Sequence, residues 1–146
     1  LGTLLAAKWY VSVYPNSLVA SLDSDIAKSW LQGRKISNQR ADLIGVRIDN
    51  ESIIFEPIEV KTHENLSKSD FSYKENRLRG NAIDQLRSII ESLKPIFGME
   101  ENQPLFTPAR RETLKYQLYR ECFREVHDEE WRSDWYEHLK AAFAGL

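Results

Sequence analysis

The residues best suited to chemistry in this chain are the tripeptide Glu59-Val60-Lys61 and Asp42, seventeen residues before it. They belong to two apolar, strand-like runs, residues 41–46 and 53–62. Because side chains alternate between the faces of a strand, Glu59 and Lys61 share one side and Val60 takes the other. A turn at 49–52 is expected to fold the runs into a hairpin and bring Asp42 next to Glu59. The pattern predicts a divalent-metal site with a cation beside it, an arrangement suited to phosphodiester hydrolysis.

The spacing has a second reading, in which the charges are a solvated rim on an edge hairpin. Lys61 would then pair with Glu59 or with Glu64. The position of Asp42 argues against this reading, because it lies between alanine and leucine in a run that favours burial. A buried carboxylate needs a compensating partner, which a metal ion or a lysine supplies. The chain has no other (D/E)-x-K tripeptide.

An acid on one strand followed by (D/E)-x-K at the end of the next resembles the signature of the PD-(D/E)XK nuclease superfamily. The segment 81–86 adds to the resemblance, because many members carry a glutamine, here Gln85, where such a helix opens. The phrases at 40–46 and 58–62 resemble nuclease modules of large bacterial restriction and phage-defence proteins. The resemblance covers roughly residues 1–98.

This resemblance implies an α/β fold with a restriction-endonuclease-like core, an αβββαβ-type mixed sheet flanked by helices, within residues 1–98. Residues 99–146 would be an additional helical extension, packed on that core or on a neighbouring domain. The implied activity is a Mg²⁺-dependent or Mn²⁺-dependent DNA endonuclease or nickase within a larger restriction or defence protein. The alternative is a catalytically silent relative that binds nucleic acid or an attached ATPase or helicase-type partner.

The resemblance also implies a role for each site residue. Asp42 and Glu59 would bind the metal, with the backbone carbonyl of Val60 as a further ligand. Lys61 would position the attacking water and stabilise developing charge, and Gln85 would orient the water or a phosphate oxygen. A homodimer would let one-site subunits cut both strands, although no residue pattern requires it.

The first predicted helix departs from the family pattern, because residues 1–8 contain no acid where many members carry a glutamate ligand. Either that ligand lies upstream of this sequence, or Thr3 replaces it, or Asp23 or Asp25 takes its place. After this helix, we expect a short strand at 17–22 and a helix from Asp23 or Ser24 to Leu31.

Basic residues flank the predicted metal site, where phosphate contacts would be needed. The candidates for nucleic-acid binding are Arg40, Lys68, Lys74, Arg77 and Arg79. An ordinary solvated loop is the competing interpretation for each. The polar stretch 64–80 is predicted to be a long substrate loop, and the stretch 81–97 to be an amphipathic helix with Gln85 in its first turn.

Two amphipathic helices are predicted in the last third of the chain, the first starting at Thr107-Pro108 and the second near Asp128. Their apolar side chains are interpreted as core rather than as a binding surface. The members on the first helix are Tyr116, Tyr119, Phe123 and Val126, and those on the second are Trp131, Trp135, Leu139, Ala142 and Phe143. A purely interacting domain that uses these helices as its surface is a third functional hypothesis.

Composition sets the remaining limits. The 146 residues, 42% of them hydrophobic, are enough for one folded domain. The net charge of −2 excludes a uniformly basic nucleic-acid-binding protein. Cys122 is the single cysteine, so the chain has no internal disulfide, and a cytoplasmic location is expected. No apolar run approaches the length of a membrane span, so no membrane association is predicted.

Overall fold

The computed structural model describes residues 1–31, 41–50, 52–61, 71–98, 107–124 and 127–144, with only the backbone of 71–81. This part of the chain is mixed α/β, with three strands and five α-helices. In chain order the elements are α1 (Gly2–Val13), β1 (Ser17–Ser21), α2 (Asp25–Leu31), β2 (Leu43–Asp49), β3 (Ser52–Ile58), α3 (Phe71–Leu93), a 3₁₀ turn (Pro95–Phe97), α4 (Thr107–Cys122) and α5 (Glu129–Ala144).

The three strands form one antiparallel sheet in the order β1-β2-β3. β2 and β3 are the predicted hairpin, and Asp49 pairs with Ser52 where the chain reverses. Asn50 in that turn has a φ of 49°, a left-handed conformation that asparagine tolerates better than most residues. The sequence prediction of this hairpin is confirmed.

The order of the elements fits the αβββα beginning of the expected core, with α2 inserted between the first two strands. The sheet itself differs from the expectation of a mixed sheet, because both pairings are antiparallel. Within the residues that the structure describes, no strand follows α3; α4 and α5 come next instead. The mixed α/β class is therefore established, while the restriction-endonuclease-like architecture stays a prediction.

Helices α4 and α5 pack on the sheet and α2 packs on α4, and their apolar sides form one hydrophobic core with it. Ile44 and Val46 of β2 belong to this cluster together with Leu118 of α4 and Leu139 of α5. Polar contacts fix the packing, because the buried indole of Trp30 donates to the Gln117 carboxamide oxygen at 2.7 Å. The C-terminal helices thus share the core of the sheet.

Helix α3 begins earlier than the sequence predicted. It starts at Phe71, so the stretch 71–80 is helical and is not part of a long loop. The segment is rich in strong helix formers, and one interior glycine, Gly80, costs a helix only about 1 kcal/mol. The helix stops at Leu93 and not at Phe97, because Pro95 has no backbone N–H to continue the ladder. Gln85 therefore lies well inside the helix rather than in its first turn.

The apolar face predicted for α4 is wrong for Tyr116 and Phe123, whereas Tyr119 packs against the core as expected. Tyr116 and Phe123 are 60% and 57% exposed, whereas Leu114, Leu118 and Cys122 are buried. The aromatic and the aliphatic sets both recur at helical spacing, so periodicity alone could not decide between them. On α5 the prediction holds for Trp135, Leu139 and Phe143, which are buried; Ala142 is exposed, and Val126 of the α4 set lies outside the described residues.

Helix α1 covers the sheet through Tyr10, whose ring lies over Gly45 of β2. A Cβ atom at Gly45 would come within 3.0 Å of the ring carbons, so only glycine leaves room for the tyrosine. The Tyr10 hydroxyl donates to the Glu56 carboxylate at 2.5 Å, and the Arg47 guanidinium donates to the same oxygen at 2.9 Å. Arg47 also lies 4.8 Å from the centre of the Tyr14 ring. None of the helices within the described ranges is both long enough and apolar enough to cross a bilayer.

We expect Gly45→Ala to lower the free energy of unfolding by about 1–3 kcal/mol, because the new methyl group and the Tyr10 ring need the same space. Urea denaturation measures this loss. In a Tyr10→Ala background the same substitution should cost almost nothing. An equal cost in both backgrounds would contradict the proposed steric conflict.

The Glu56 carboxylate makes folding dependent on pH. Burial pushes the pKa of Glu56 upward, but the hydrogen bonds donated by Arg47 and Tyr10 outweigh it, so the pKa lies below its usual 4.5. The resulting stabilisation is present above pH 4.5 and is lost as the pH falls through the lowered pKa. Urea titrations from about pH 6 to about pH 3 should therefore show a smaller acid loss for Glu56→Gln than for the wild type. Glu130→Gln, on the exposed side of α5, is the matched control.

Candidate functional site

Asp42 and Glu59 lie opposite each other at one end of the hairpin. Asp42 immediately precedes β2, and Glu59 immediately follows β3. Leu43 pairs with Ile58, so the next positions outward along the two strands are Asp42 and Glu59. The Asp42 amide donates to the Ile58 carbonyl at 3.1 Å and holds the two chains together there. The strand pairing thus brings together two acids that are seventeen residues apart in sequence.

Asp42 also connects the ends of all three strands. Its backbone carbonyl accepts a hydrogen bond from the Leu22 amide, just after β1, at 3.0 Å. Its side-chain Oδ2 accepts one from the Val60 amide at 2.8 Å. A carboxylate that accepts a backbone N–H at the end of a strand satisfies a polar group that the sheet ladder leaves unpaired. Asp42 therefore stabilises the end of the sheet through its backbone and through Oδ2. Its other carboxylate oxygen, Oδ1, takes no part in the hydrogen bond with Val60.

Glu59 and Gln85 converge on the ammonium group of Lys61. The Lys61 Nζ lies 2.5 Å from Glu59 Oε1 and donates to Gln85 Oε1 at 2.6 Å. Gln85 reaches the strand end from the interior of α3, although its place in the helix differs from the prediction. The ion pair between Lys61 and Glu59 that the competing interpretation predicted is thus observed. The same contact also brings together three of the residues that were predicted to be catalytic.

Glu59 is an unusually buried carboxylate. Its side chain is 3% exposed, against 28% for Lys61. Among the described residues, nothing donates a hydrogen bond to its Oε2. Burial raises the pKa of Glu59, and the nearby Asp42 charge adds to this, while the hydrogen bond from Lys61 opposes it. Such a group favours a further positive partner on its second oxygen.

The oxygen ligands at this end of the hairpin have the chemistry that Mg²⁺ prefers. The structure brings together two of them, Asp42 and Glu59. No group of three histidine, cysteine, aspartate or glutamate residues suited to a metal ion occurs in the described part of the chain. The role of the Val60 carbonyl stays a prediction, since the contact seen for Val60 is made by its amide.

A cavity of about 300 Å³ lies between α1, β1 and Asp42. Thr3 and Asp23, two of the residues considered as replacements for the missing first-helix acid, line this cavity together with Asp42. Asp25 is not in this lining; it pairs with Lys28 at 3.1 Å on the surface of α2. Arg124 at the end of α4 also lines the cavity, and no local sequence signal could have placed it there because it is far from Asp42 along the chain.

The predicted phosphate-binding residues are not tested by this geometry. Arg40 and Lys68 lie outside the described residues. Lys74, Arg77 and Arg79 lie on the first half of α3, for which the structure describes the backbone alone. All five stay predictions.

No protein-family model, curated protein or solved structure matches the chain. The fold and the site themselves define a mixed α/β domain. It carries a cluster of Glu59, Lys61 and Gln85 at the end of the β2–β3 hairpin opposite the turn.

We expect Lys61→Met to lower the free energy of unfolding by about 1–2 kcal/mol at neutral pH in EDTA, because it leaves the buried Glu59 charge unpaired. This range is below that of a fully buried pair, since part of Lys61 reaches solvent. The double variant Glu59→Gln/Lys61→Met should regain most of the loss in urea denaturation. Lys28→Met, which removes the exposed pair with Asp25, is the control and should cost less than about 0.5 kcal/mol. A double variant as unstable as Lys61→Met would show that charge is not the cause.

Proposed function

We propose that this chain is a metal-dependent DNA endonuclease or nickase domain with a restriction-endonuclease-like core, part of a larger bacterial restriction or phage-defence protein. The observation that carries the proposal is the position of the Lys61 ammonium, held between Glu59 and Gln85 at the strand end that also bears Asp42. The first elements have the order αβαββα, which agrees with the expected αβββα beginning when α2 is counted as an insertion, and this supports the same assignment.

Each residue of the site would have a separate role in phosphodiester hydrolysis. Asp42 and Glu59 would hold one Mg²⁺ or Mn²⁺ through carboxylate oxygens, and Oε2 of Glu59, which accepts no hydrogen bond from the described residues, suits this role. The ion would supply Lewis acidity at the phosphate and lower the pKa of a bound water. Lys61 offers its third ammonium N–H to that water or to the charge that develops on the phosphate oxygens. Gln85 fixes the Lys61 ammonium in place, so little reorganisation is needed when substrate arrives.

A catalytically silent relative is the second candidate. It is favoured by the ligand count, because the described residues hold no group of three potential metal ligands. The side chain of Asp42 is also already bound to the Val60 amide, and Lys61 to Glu59. In that case the cluster would only stabilise the hairpin, and the domain would bind nucleic acid or an attached ATPase without cutting.

Cleavage of supercoiled plasmid in Mg²⁺, Mn²⁺ or EDTA tests the proposal. We expect metal-dependent nicking by the wild type and a loss of at least about 100-fold in Lys61→Ala, because an electrostatic contact to the transition state is removed. Asp42→Asn and Glu59→Gln should also lose activity, whereas Lys28→Ala should cut like the wild type. Circular dichroism of each variant establishes that it is folded before its activity is compared.

Metal binding separates the two candidates. Calorimetry with Mg²⁺ or Mn²⁺ should show binding by the wild type and by Lys61→Ala, and weaker binding by Glu59→Gln. Nicking by the wild type that survives in Lys61→Ala would place the active centre elsewhere. A wild type that neither cuts DNA nor binds metal would overturn the catalytic proposal in favour of the silent domain.

A further inference from the structure

Within the described residues, β1 is an edge strand that pairs with β2 on one side only. In an antiparallel ladder, successive residues turn their backbone groups alternately toward the partner strand and away from it. The Leu22 amide bonds the Asp42 carbonyl, which lies opposite it in the continued register, so every second residue counted back from Leu22 faces β2. The residues whose main-chain groups face the other edge are therefore Ser17, Val19 and Ser21.

The middle of this edge is its open part. The Ser21 carbonyl accepts hydrogen bonds from the Gln117 carboxamide and the Ser24 hydroxyl, both at 3.1 Å, as expected for a group that points away from β2. Ser17 is buried. Val19 is half-buried, and no side chain or loop of the described residues bonds to its N–H or C=O. Main-chain groups of this kind on an edge strand are a template for another extended chain.

Two cavities flank Val19 along this edge. The one toward the start of β1 has a volume of about 450 Å³, and its lining includes Trp131 of α5. The one toward the end of β1 is the cavity of about 300 Å³ that contains Asp23 and Asp42. Helix α1 borders both cavities on one side, and Arg124 borders both on the other. We call these two cavities, which meet at Val19 and Arg124, the β1 cleft.

The β1 cleft has an excess of negative charge. Its lining includes four carboxylates and one guanidinium, those of Asp23, Asp42, Glu121, Asp128 and Arg124. Arg124 pairs with Glu121 at 2.9 Å, which leaves three carboxylates that have no ion pair among the described residues. His127 also lines the cleft, but burial and the nearby Arg124 hold its pKa below the usual 6.5, so its ring is neutral at pH 7.

The negative charge continues along α5. A wider hollow shares Asp128 with the β1 cleft. The other charged residues in its lining are Glu129, Glu130, Asp134 and Glu137. His138 lies 3.4 Å from Asp134, and Lys140 lies 4.0 Å from Glu137; both are exposed pairs, which interact only weakly. A ligand that extends from the β1 cleft along α5 therefore meets further carboxylates, and it needs positive charge of its own.

We propose that the β1 cleft binds an extended, basic segment of another protein, whose main chain pairs with Val19 and whose cationic side chain contacts Asp23. The paired main chain would supply affinity, and the two flanking cavities would select side chains, as in strand addition to an open sheet edge. A second copy of this chain fits less well, because the edge of its own β1 lies between helices in the same way. Binding needs neither metal nor cleavage, so the proposal goes beyond the proposed function.

The test is fluorescence anisotropy of the whole chain in EDTA with a labelled peptide of about eight residues, alternating lysine and valine. The same peptide with glutamate in place of lysine should bind at least about tenfold more weakly, because its charge has the sign of the cleft. A peptide with proline in place of valine keeps the positive charge but lacks half of the main-chain donors. It should also bind about tenfold more weakly than the lysine-valine peptide.

Two variants of the chain test the two contacts. Val19→Pro removes the outward N–H at an edge position, where proline is tolerated, and should weaken binding of the lysine-valine peptide by about tenfold. Asp23→Lys should weaken binding of this peptide by about tenfold and strengthen binding of the glutamate peptide. Glu112→Lys makes the same change of net charge on α4, outside the β1 cleft, where Glu112 pairs with Lys115. As the control, it should alter both affinities by less than about twofold.

Three outcomes would overturn the proposal. These are no binding of the lysine-valine peptide by the wild type, equal binding of the lysine-valine and lysine-proline peptides, or equal effects of Asp23→Lys and Glu112→Lys. Sedimentation velocity examines the other occupant: a dimer that Val19→Pro dissociates would assign the edge to a second copy and would also overturn the proposal. Circular dichroism establishes that each variant is folded. If Val19→Pro does not fold, the exchange of peptide preference in Asp23→Lys and the lysine-proline peptide decide the question.

Discussion

The hydrogen bond from the Val60 amide to the Asp42 carboxylate is the contact on which the arrangement of the site depends. It closes the end of the hairpin where the ladder of backbone hydrogen bonds stops. The backbone of Asp42 is also hydrogen-bonded to Leu22, just after β1, and to Ile58, at the end of β3. One residue therefore connects the ends of all three strands at this edge of the sheet. The direction in which Glu59 and Lys61 leave the sheet follows from this anchoring. A residue can thus support the fold and belong to a chemical site at the same time.

The buried Glu59 charge is the main electrostatic cost of this arrangement. Taking a carboxylate out of water is unfavourable unless its oxygens are compensated, and Lys61 compensates Oε1. Oε2 lacks such a partner within the described residues. The raised pKa of Glu59 reflects the same imbalance. Perturbed carboxylates of this kind are found more often at functional sites than elsewhere, which is one reason for the proposal of a functional site here.

Helix α4 has a buried side and a side that is exposed to solvent. Its aliphatic side, with Leu114 and Leu118, belongs to the core, whereas Tyr116 on the other side is exposed. The buried side also carries Arg110, whose guanidinium donates to the backbone carbonyl of Trp30 at 2.6 Å at the end of α2. The helix is therefore held by a polar contact as well as by its apolar residues, and its Tyr119 ring lies 5.1 Å from the Tyr136 ring of α5.

The sequence by itself determined the local features: the β2–β3 hairpin, the end of α2 at Leu31, the starts of α4 and α5, and the pairing of Asp42 with the Glu59-Val60-Lys61 segment. These follow from strand alternation, turn residues and helix caps, such as the Asp128 carboxylate that accepts the Trp131 amide at 2.7 Å. Only the tertiary structure decided which side of α4 is buried, where α3 begins, and that Arg124 and Asp23 share a cavity with Asp42. The physical reason is that helical periodicity defines faces without assigning them. Whether aliphatic or aromatic residues are buried depends on the shape of the sheet and of the neighbouring helices, which the local pattern does not contain.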